Sequence, residues 1–164
     1  MERESLEALF KSELTEAFYA QKQLGAVYKK MAEAAFNDEL RRAFEQQVQN
    51  TTLQVGRMQE CFDLLELKPD TKYANVVQGF AAIADEMIKD FPEGPVRDAS
   101  LISTAQKIEH YGISAYGTLR TMATILGRVQ CATLIEENKD EEAETDEELT
   151  RLAVTINQLA FEGV

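Results

Sequence analysis

The sequence predicts an all-α fold: a four-helix bundle in which the second and third long helices are joined by a long crossover carrying a short extra helix. Three observations predict it. Apolar residues recur at alternating spacings of four and three along four segments of roughly 30 residues each, the seam of a bundle. Gly and Pro are sparse, with 8 and 3 in 164 residues, and the prolines fall at the segment boundaries. Near the midpoint of each segment, a polar residue interrupts the apolar stripe. The length suits one domain over residues 1–164.

The first helix is expected over 5–35, with Phe10, Leu14, Ala17, Gln21, Leu24, Tyr28, Met31 and Ala35 facing inward. Gln21 is the one polar side chain in that stripe. Asn37 or Asp38 can cap the second helix, with Phe36 as an apolar staple. That helix is expected over 38–67, with Leu40, Phe44, Val48, Thr51, Val55, Met58, Phe62 and Leu65 inward and Gln49 and Thr52 along one edge. Lys68, Pro69 and Asp70 end it.

Residues 74–91 form the short amphipathic crossover segment, with Val76, Phe80, Ile83 and Met87 on one side. A connection of this length lets the second and third long helices run parallel. Pro95 suits the first turn of the third long helix, which runs to 126. Its stripe is Ile102, Ala105, Glu109, Gly112, Tyr116, Leu119, Ala123 and Leu126, and Gly127 reads as its C-terminal cap. The fourth follows over 128–161 with Cys131, Leu134, Asn138, Glu142, Thr145, Leu149, Leu152, Ile156 and Leu159.

A formal charge of −12 argues against nucleic acid and against docking on anionic lipid, both of which need a Lys/Arg surplus. Cys61 and Cys131 have no short-spaced partner; both are expected as small buried hydrophobes, without a disulfide framework or a cysteine zinc site. The N-terminal stretch MERESLEALFKSE lacks an apolar core and no segment is long enough to cross a bilayer, so the expected compartment is the cytoplasm. The acidic run from Glu136 to Glu148, with nine Asp/Glu and one Lys, reads as a solvated helix face.

Helices of about 30 residues are about 45 Å long, and with register-matched ends their midpoints coincide. Gln21, Gln49 with Thr52, Glu109 and Glu142 are therefore expected in one layer. A buried carboxylate must be protonated, paired or metal-bound. Di-metal bundles supply a Glu from each of two helices and a Glu-x-x-His from each of the other two. Here the corresponding pairs are Glu109-x-x-Gly112, Glu142-x-x-Thr145 and Gln49-x-x-Thr52, with Gln21 alone. Neutral amides and hydroxyls are weak ligands for iron or manganese. Three readings of the two glutamates remain open: a hydrogen-bonded polar layer that fixes register, a weak site for one divalent ion, or a di-metal centre completed by other ligands. His110 points about 100° away from Glu109 on a helix and reads as a half-exposed side chain.

The stretch RDASLISTAQKIEHYGISAYGTL (residues 97–119) closely resembles the third-helix signature of the YciE/YciF-type ferritin-like stress proteins. YAQKQL (19–24) and DEEAETD (140–146) fit the same family. The resemblance implies a ferritin-like bundle with a crossover helix, dimeric and linked to bacterial stress responses. It also implies metal ligands at Gln21, at Gln49 and Thr52, at Glu109 and Gly112, and at Glu142; only Glu109 and Glu142 keep a carboxylate. The function expected is that of a stress-associated, non-catalytic homodimer. No resident cofactor is expected, beyond a weakly held iron, manganese or zinc ion at Glu109 and Glu142. The alternatives are a divalent-metal binding or oxidising protein, and an acidic scaffold for a basic partner.

Overall fold

The computed structural model describes residues 5–70 and 74–163; the first four residues of the N-terminal stretch, residues 71–73 of the crossover and residue 164 lie outside the described residues. Five helices follow in order: α1 (Leu6–Ala34), α2 (Asp38–Leu64), α3 (Asn75–Asp90), α4 (Pro95–Ile125) and α5 (Val129–Glu162), with no strand among the described residues.

Local chemistry explains the helix ends. Ser5 caps α1 by accepting the Ala8 N–H at 3.1 Å. Asn37 caps α2, accepting from Glu39 and Leu40 at 2.9 and 3.0 Å. The expected Phe36 staple does not form; that side chain is 52 % exposed. α2 stops at Leu64, short of the expected 67, because Glu66 turns left-handed (φ 53°) and the Leu67 N–H bonds back to the Phe62 carbonyl at 2.9 Å. Pro95 opens α4. Gly127, at φ 71°, ends it, with the Arg128 N–H returning to the Ala123 carbonyl at 2.8 Å.

Side-chain pairings set the topology. Along α1 and α2, Phe18 meets Phe62 and Tyr28 meets Phe44, so the two run antiparallel. Gln47 meets Thr145 and Arg57 meets Asn138, so α2 and α5 are antiparallel. Gln106 meets Thr150 and Arg120 meets Glu136, so α4 and α5 are antiparallel too. It follows that α2 and α4 run parallel, as the long crossover requires. α3 lies across α1 and α4 with Val77 and Ala84 buried, while Val76, Phe80 and Met87 are half-buried against the same core.

Two adjacent residues at the start of α4 clamp this end. The Arg97 guanidinium donates to the Phe91 and Ile88 carbonyls at 2.8 and 3.2 Å, closing the C-terminus of α3. Asp98, fully buried, accepts the backbone N–H groups of Phe36 and Asn37, both at 2.8 Å, holding the α1–α2 turn.

The core is cut in two. One cluster contains Leu24, Met31, Leu40, Phe44, Leu101, Ile108 and Leu149; the other contains Phe10, Leu14, Phe18, Met58, Phe62, Leu119 and Ile135. Each of α1, α2, α4 and α5 passes from one cluster to the other through a polar segment.

Candidate functional site in the mid-bundle polar layer

Gln21, Glu109 and Glu142 lie in that gap, all buried, Glu109 completely. The expectation for α2 needs correction. Gln49 and Thr52 are exposed and stand outside the layer. The buried face of α2 carries Gln47, Thr51 and Gln54 instead. Leu40, Gln47, Gln54 and Cys61 recur every seven residues, and so do Phe44, Thr51 and Met58. A strict heptad reading of α2 was therefore the available signal. Leu40, Phe44, Thr51, Met58 and Phe62 face inward as expected, whereas Val48 and Val55, favoured by hydropathy, are only half-buried at the edge of that face.

Gln54 is the hub. Its Oε1 accepts from Gln21 Nε2 and, at 3.0 Å, from the Tyr116 hydroxyl, which fills both lone pairs. Its Nε2 donates to Glu141 Oε2 at 3.2 Å. Gln21 Nε2 also approaches Glu142 Oε1 at 3.4 Å. On the opposite side, the Tyr28 hydroxyl donates to Glu109 Oε1. The Glu109 and Glu142 carboxyls lie close enough to act on one another's ionisation. One tier away, Gln47 Nε2 donates to the Thr145 hydroxyl at 2.7 Å.

The residue three after Gln54 is Arg57. Its guanidinium donates to Asn138 Oδ1 at 3.0 Å and pairs with Glu141 at 2.7 Å and Glu137 at 3.1 Å. Asn138 Nδ2 returns to the Gln54 carbonyl at 3.3 Å. Thus Gln54 and Arg57 face Asn138 and Glu141 on α5, and three residues after the buried amide α2 carries a cation paired with carboxylates, where metal bundles carry an imidazole three residues after a glutamate.

Burial raises both carboxyls. Desolvation, then the facing Glu142, pushes Glu109 well above the usual carboxylate range; the Tyr28 hydroxyl offsets part of this. Desolvation lifts Glu142 to about 7, opposed by hydrogen bonds from Glu109, Gln54 and Gln21. Glu109 Oε2 has no ordinary donor among the described residues. A proton held between the two carboxyls is the group that can satisfy it.

Gly112 also belongs to the layer. A Cβ on it would stand 2.8 Å from Glu142 Cδ. The missing side chain is what lets the Glu142 carboxyl lie against α4. His110 is exposed and meets Asp146 at 3.3 Å, outside the layer. Tyr28 stands in the inward stripe as expected, though its bond to a carboxyl was not foreseen; Gln54 and Arg57 were not singled out from the sequence. Among the described residues, no cluster of three or more His, Cys, Asp or Glu side chains is placed to hold a metal ion, and no helix is long and apolar enough to cross a membrane.

These features define a ferritin-like helical bundle. The chain belongs to the family described as Domain of unknown function DUF892, which matches residues 5–161. It is 36% identical to Protein YciF of Escherichia coli (strain K12) over 162 residues, covering 98% of each chain. The crystal structure of that E. coli stress protein matches with a TM-score of 0.91 at 35% identity, over 94% of this chain and 98% of the other. YcfI from Rhodopseudomonas palustris matches at 0.86 with 29% identity, over 90% and 94%. Symerythrin from Cyanophora paradoxa, at 14% identity and 0.68 over 95% and 87%, shares the fold.

Proposed function

We propose that this chain is a stress-associated, non-catalytic ferritin-like bundle protein whose mid-bundle layer is closed by amide and phenol hydrogen bonds and a carboxyl proton. The stress association rests on kinship with YciF, named a stress protein. The single observation that carries the non-catalytic reading is the pair Gln54 and Arg57 on α2. The donor set does not fit two metal ions. Glu109 and Glu142 bring at most two negative charges, Gln21 and Gln54 bring none, and the place three residues after Gln54 holds Arg57, a cation paired with Glu137 and Glu141 that cannot serve as a ligand. The amide hydrogens of Gln21 are already directed at Gln54 and Glu142.

One observation favours a second reading, a single divalent ion at Glu109 and Glu142. Glu109 Oε2 and Gln21 Oε1 are both buried without a hydrogen-bond partner among the described residues, and oxygens of this kind suit a hard cation. Elemental analysis after aerobic loading with Fe(II) or Mn(II) tests the pair. The non-catalytic reading predicts no stoichiometric metal, no Fe(II)-dependent oxygen uptake and an unchanged melting temperature. A metal bound only by the folded chain must raise that temperature. One ion per chain with a higher melting temperature would establish the second reading, and oxygen uptake would overturn the first.

A further inference from the structure

Cys61, in the last turn of α2, and Cys131, in the first turn of α5, are both buried and take no part in the polar layer. They face each other reciprocally. Cys61 Sγ lies 3.8 Å from the Cys131 carbonyl oxygen, and Cys131 Sγ lies 3.8 Å from the Cys61 carbonyl oxygen. Each thiol is also close enough to the other to act on its ionisation. Two residues 70 positions apart thus meet at one helix contact. A disulfide needs Cβ atoms about 3.5–4.5 Å apart, and thiols that each reach the other's backbone carbonyl approach that arrangement.

We propose that Cys61 and Cys131 are an oxidation site: exposure to a peroxide joins them in a disulfide that straps α2 to α5. This goes beyond the reading of the polar layer and is independent of it. The order of events follows from the surroundings. Burial pushes both thiols up, so neither reacts quickly. Cys131 reacts first, because the Cys61 thiol, the Arg128 guanidinium and a backbone N–H oppose the effect of burial there, whereas the neighbours of Cys61 add to it, and because Cys131 stands in the first turn of a helix. Its neighbours Val129 and Gln130 are exposed, so peroxide has a short way in.

The Cys131 thiolate attacks a peroxide oxygen, the O–O bond breaks, and a sulfenic acid and hydroxide result. Cys61 sulfur then attacks the sulfenyl sulfur. The S–S bond forms, the S–O bond breaks, and the Cys61 proton leaves with the hydroxyl as water. In sum, two thiols lose two electrons and peroxide is reduced to water. Arg57 lies one turn from Cys61 and grips the same helix through Asn138 and Glu141. The strap therefore holds the α2–α5 spacing beside the polar layer, and closing a long loop restrains the unfolded chain.

The test treats the full-length native chain with hydrogen peroxide, then alkylates it under denaturing conditions. The expected product is a monomer with faster non-reducing gel mobility and a Cys61–Cys131 linked peptide by mass spectrometry. Its melting temperature should rise, and dithiothreitol should reverse the rise. Cys61→Ser should accumulate dimedone-reactive sulfenic acid at Cys131, and Cys131→Ser should not label at Cys61. Two alkylated thiols after exposure, or a disulfide between chains, would overturn the site. Labelling of Cys131→Ser in place of Cys61→Ser would overturn the order of attack.

Discussion

The Glu142 carboxyl lies against the bare backbone of Gly112, where a Cβ would stand 2.8 Å from its Cδ and 3.1 Å from its Cγ. Glycine inside a helix costs about 0.5–1 kcal/mol relative to alanine, so an open position would gain from Gly112→Ala. Here the new methyl must displace a buried carboxyl that is approached by Gln21. We expect Gly112→Ala to destabilise the fold by about 1–3 kcal/mol in urea unfolding. In a Glu142→Ala background the same change should become neutral or stabilise by up to about 1 kcal/mol. Additive effects across the double-mutant cycle would show that the two residues do not interact.

The raised carboxyls make stability depend on pH in the direction opposite to ordinary acid denaturation. In the unfolded chain Glu142 ionises near 4.5; in the folded chain it does so near 7, because burial disfavours the charge. Between these values the folded state holds a proton that the unfolded state has released. Its contribution to stability is complete below pH 4.5 and is lost as the pH rises through 7. Glu109, pushed well up by the same burial, extends the loss to higher pH. Melts at pH 5 and pH 8 in constant salt should show the lower stability at pH 8, and Glu142→Gln should flatten the difference. A melting temperature that climbs towards pH 8 would contradict a protonated layer.

The inward faces of α1, α4 and α5 were legible because apolar side chains flank each polar break. Gln21, Glu109 and Glu142 each stand between large hydrophobes that fix the stripe. The face of α2 was legible only in part: Leu40, Phe44, Thr51, Met58 and Phe62 face inward as expected, whereas Gln47 and Gln54 are buried with hydrogen-bond partners supplied by α1, α4 and α5. Those partners are distant in sequence, so hydropathy along α2 alone favours Val48 and Val55. The role of Gly112 was half visible: its place on the inward stripe was expected, but not that a carboxyl would lie against it. The end of α2 was misread for a local reason, since Glu66 adopts a left-handed conformation that usually announces itself as glycine.

Asp98 provides a test of the clamp at the other end of the bundle. It is buried, and its two oxygens accept the Phe36 and Asn37 N–H groups at 2.8 Å. Removing the carboxylate leaves two part-buried donors of the α1–α2 turn without their acceptor. Hydrogen bonds to a charged partner contribute about 1.5–3 kcal/mol each, and a stranded donor costs a similar amount. Asp98→Ala should therefore lower stability by about 2–4 kcal/mol in urea unfolding. Hydrogen exchange should quicken first around the α1–α2 turn. Uniform acceleration along all the helices would mean that Asp98 has no local role there.

If ligand replacement is what separates this layer from a metal centre, restoring the ligands should create one. The geometry assigns the positions: Gln21→Glu on α1, Gln54→Glu and Arg57→His on α2, and Thr145→His on α5, beside the existing Glu109 and Glu142. The result is a Glu from each of two helices and a Glu-x-x-His from each of the other two. Without metal the variant gathers four buried carboxyls and loses the Arg57 clamp, so it should melt below the parent chain. With Fe(II), Mn(II) or Zn(II) it should take up close to stoichiometric metal and recover stability, because binding is confined to the folded state. The same set built with Gln49→Glu and Thr52→His in place of the Gln54 and Arg57 changes should gain nothing, since both residues face solvent. Equal metal uptake by the two sets would refute the register assigned here to α2.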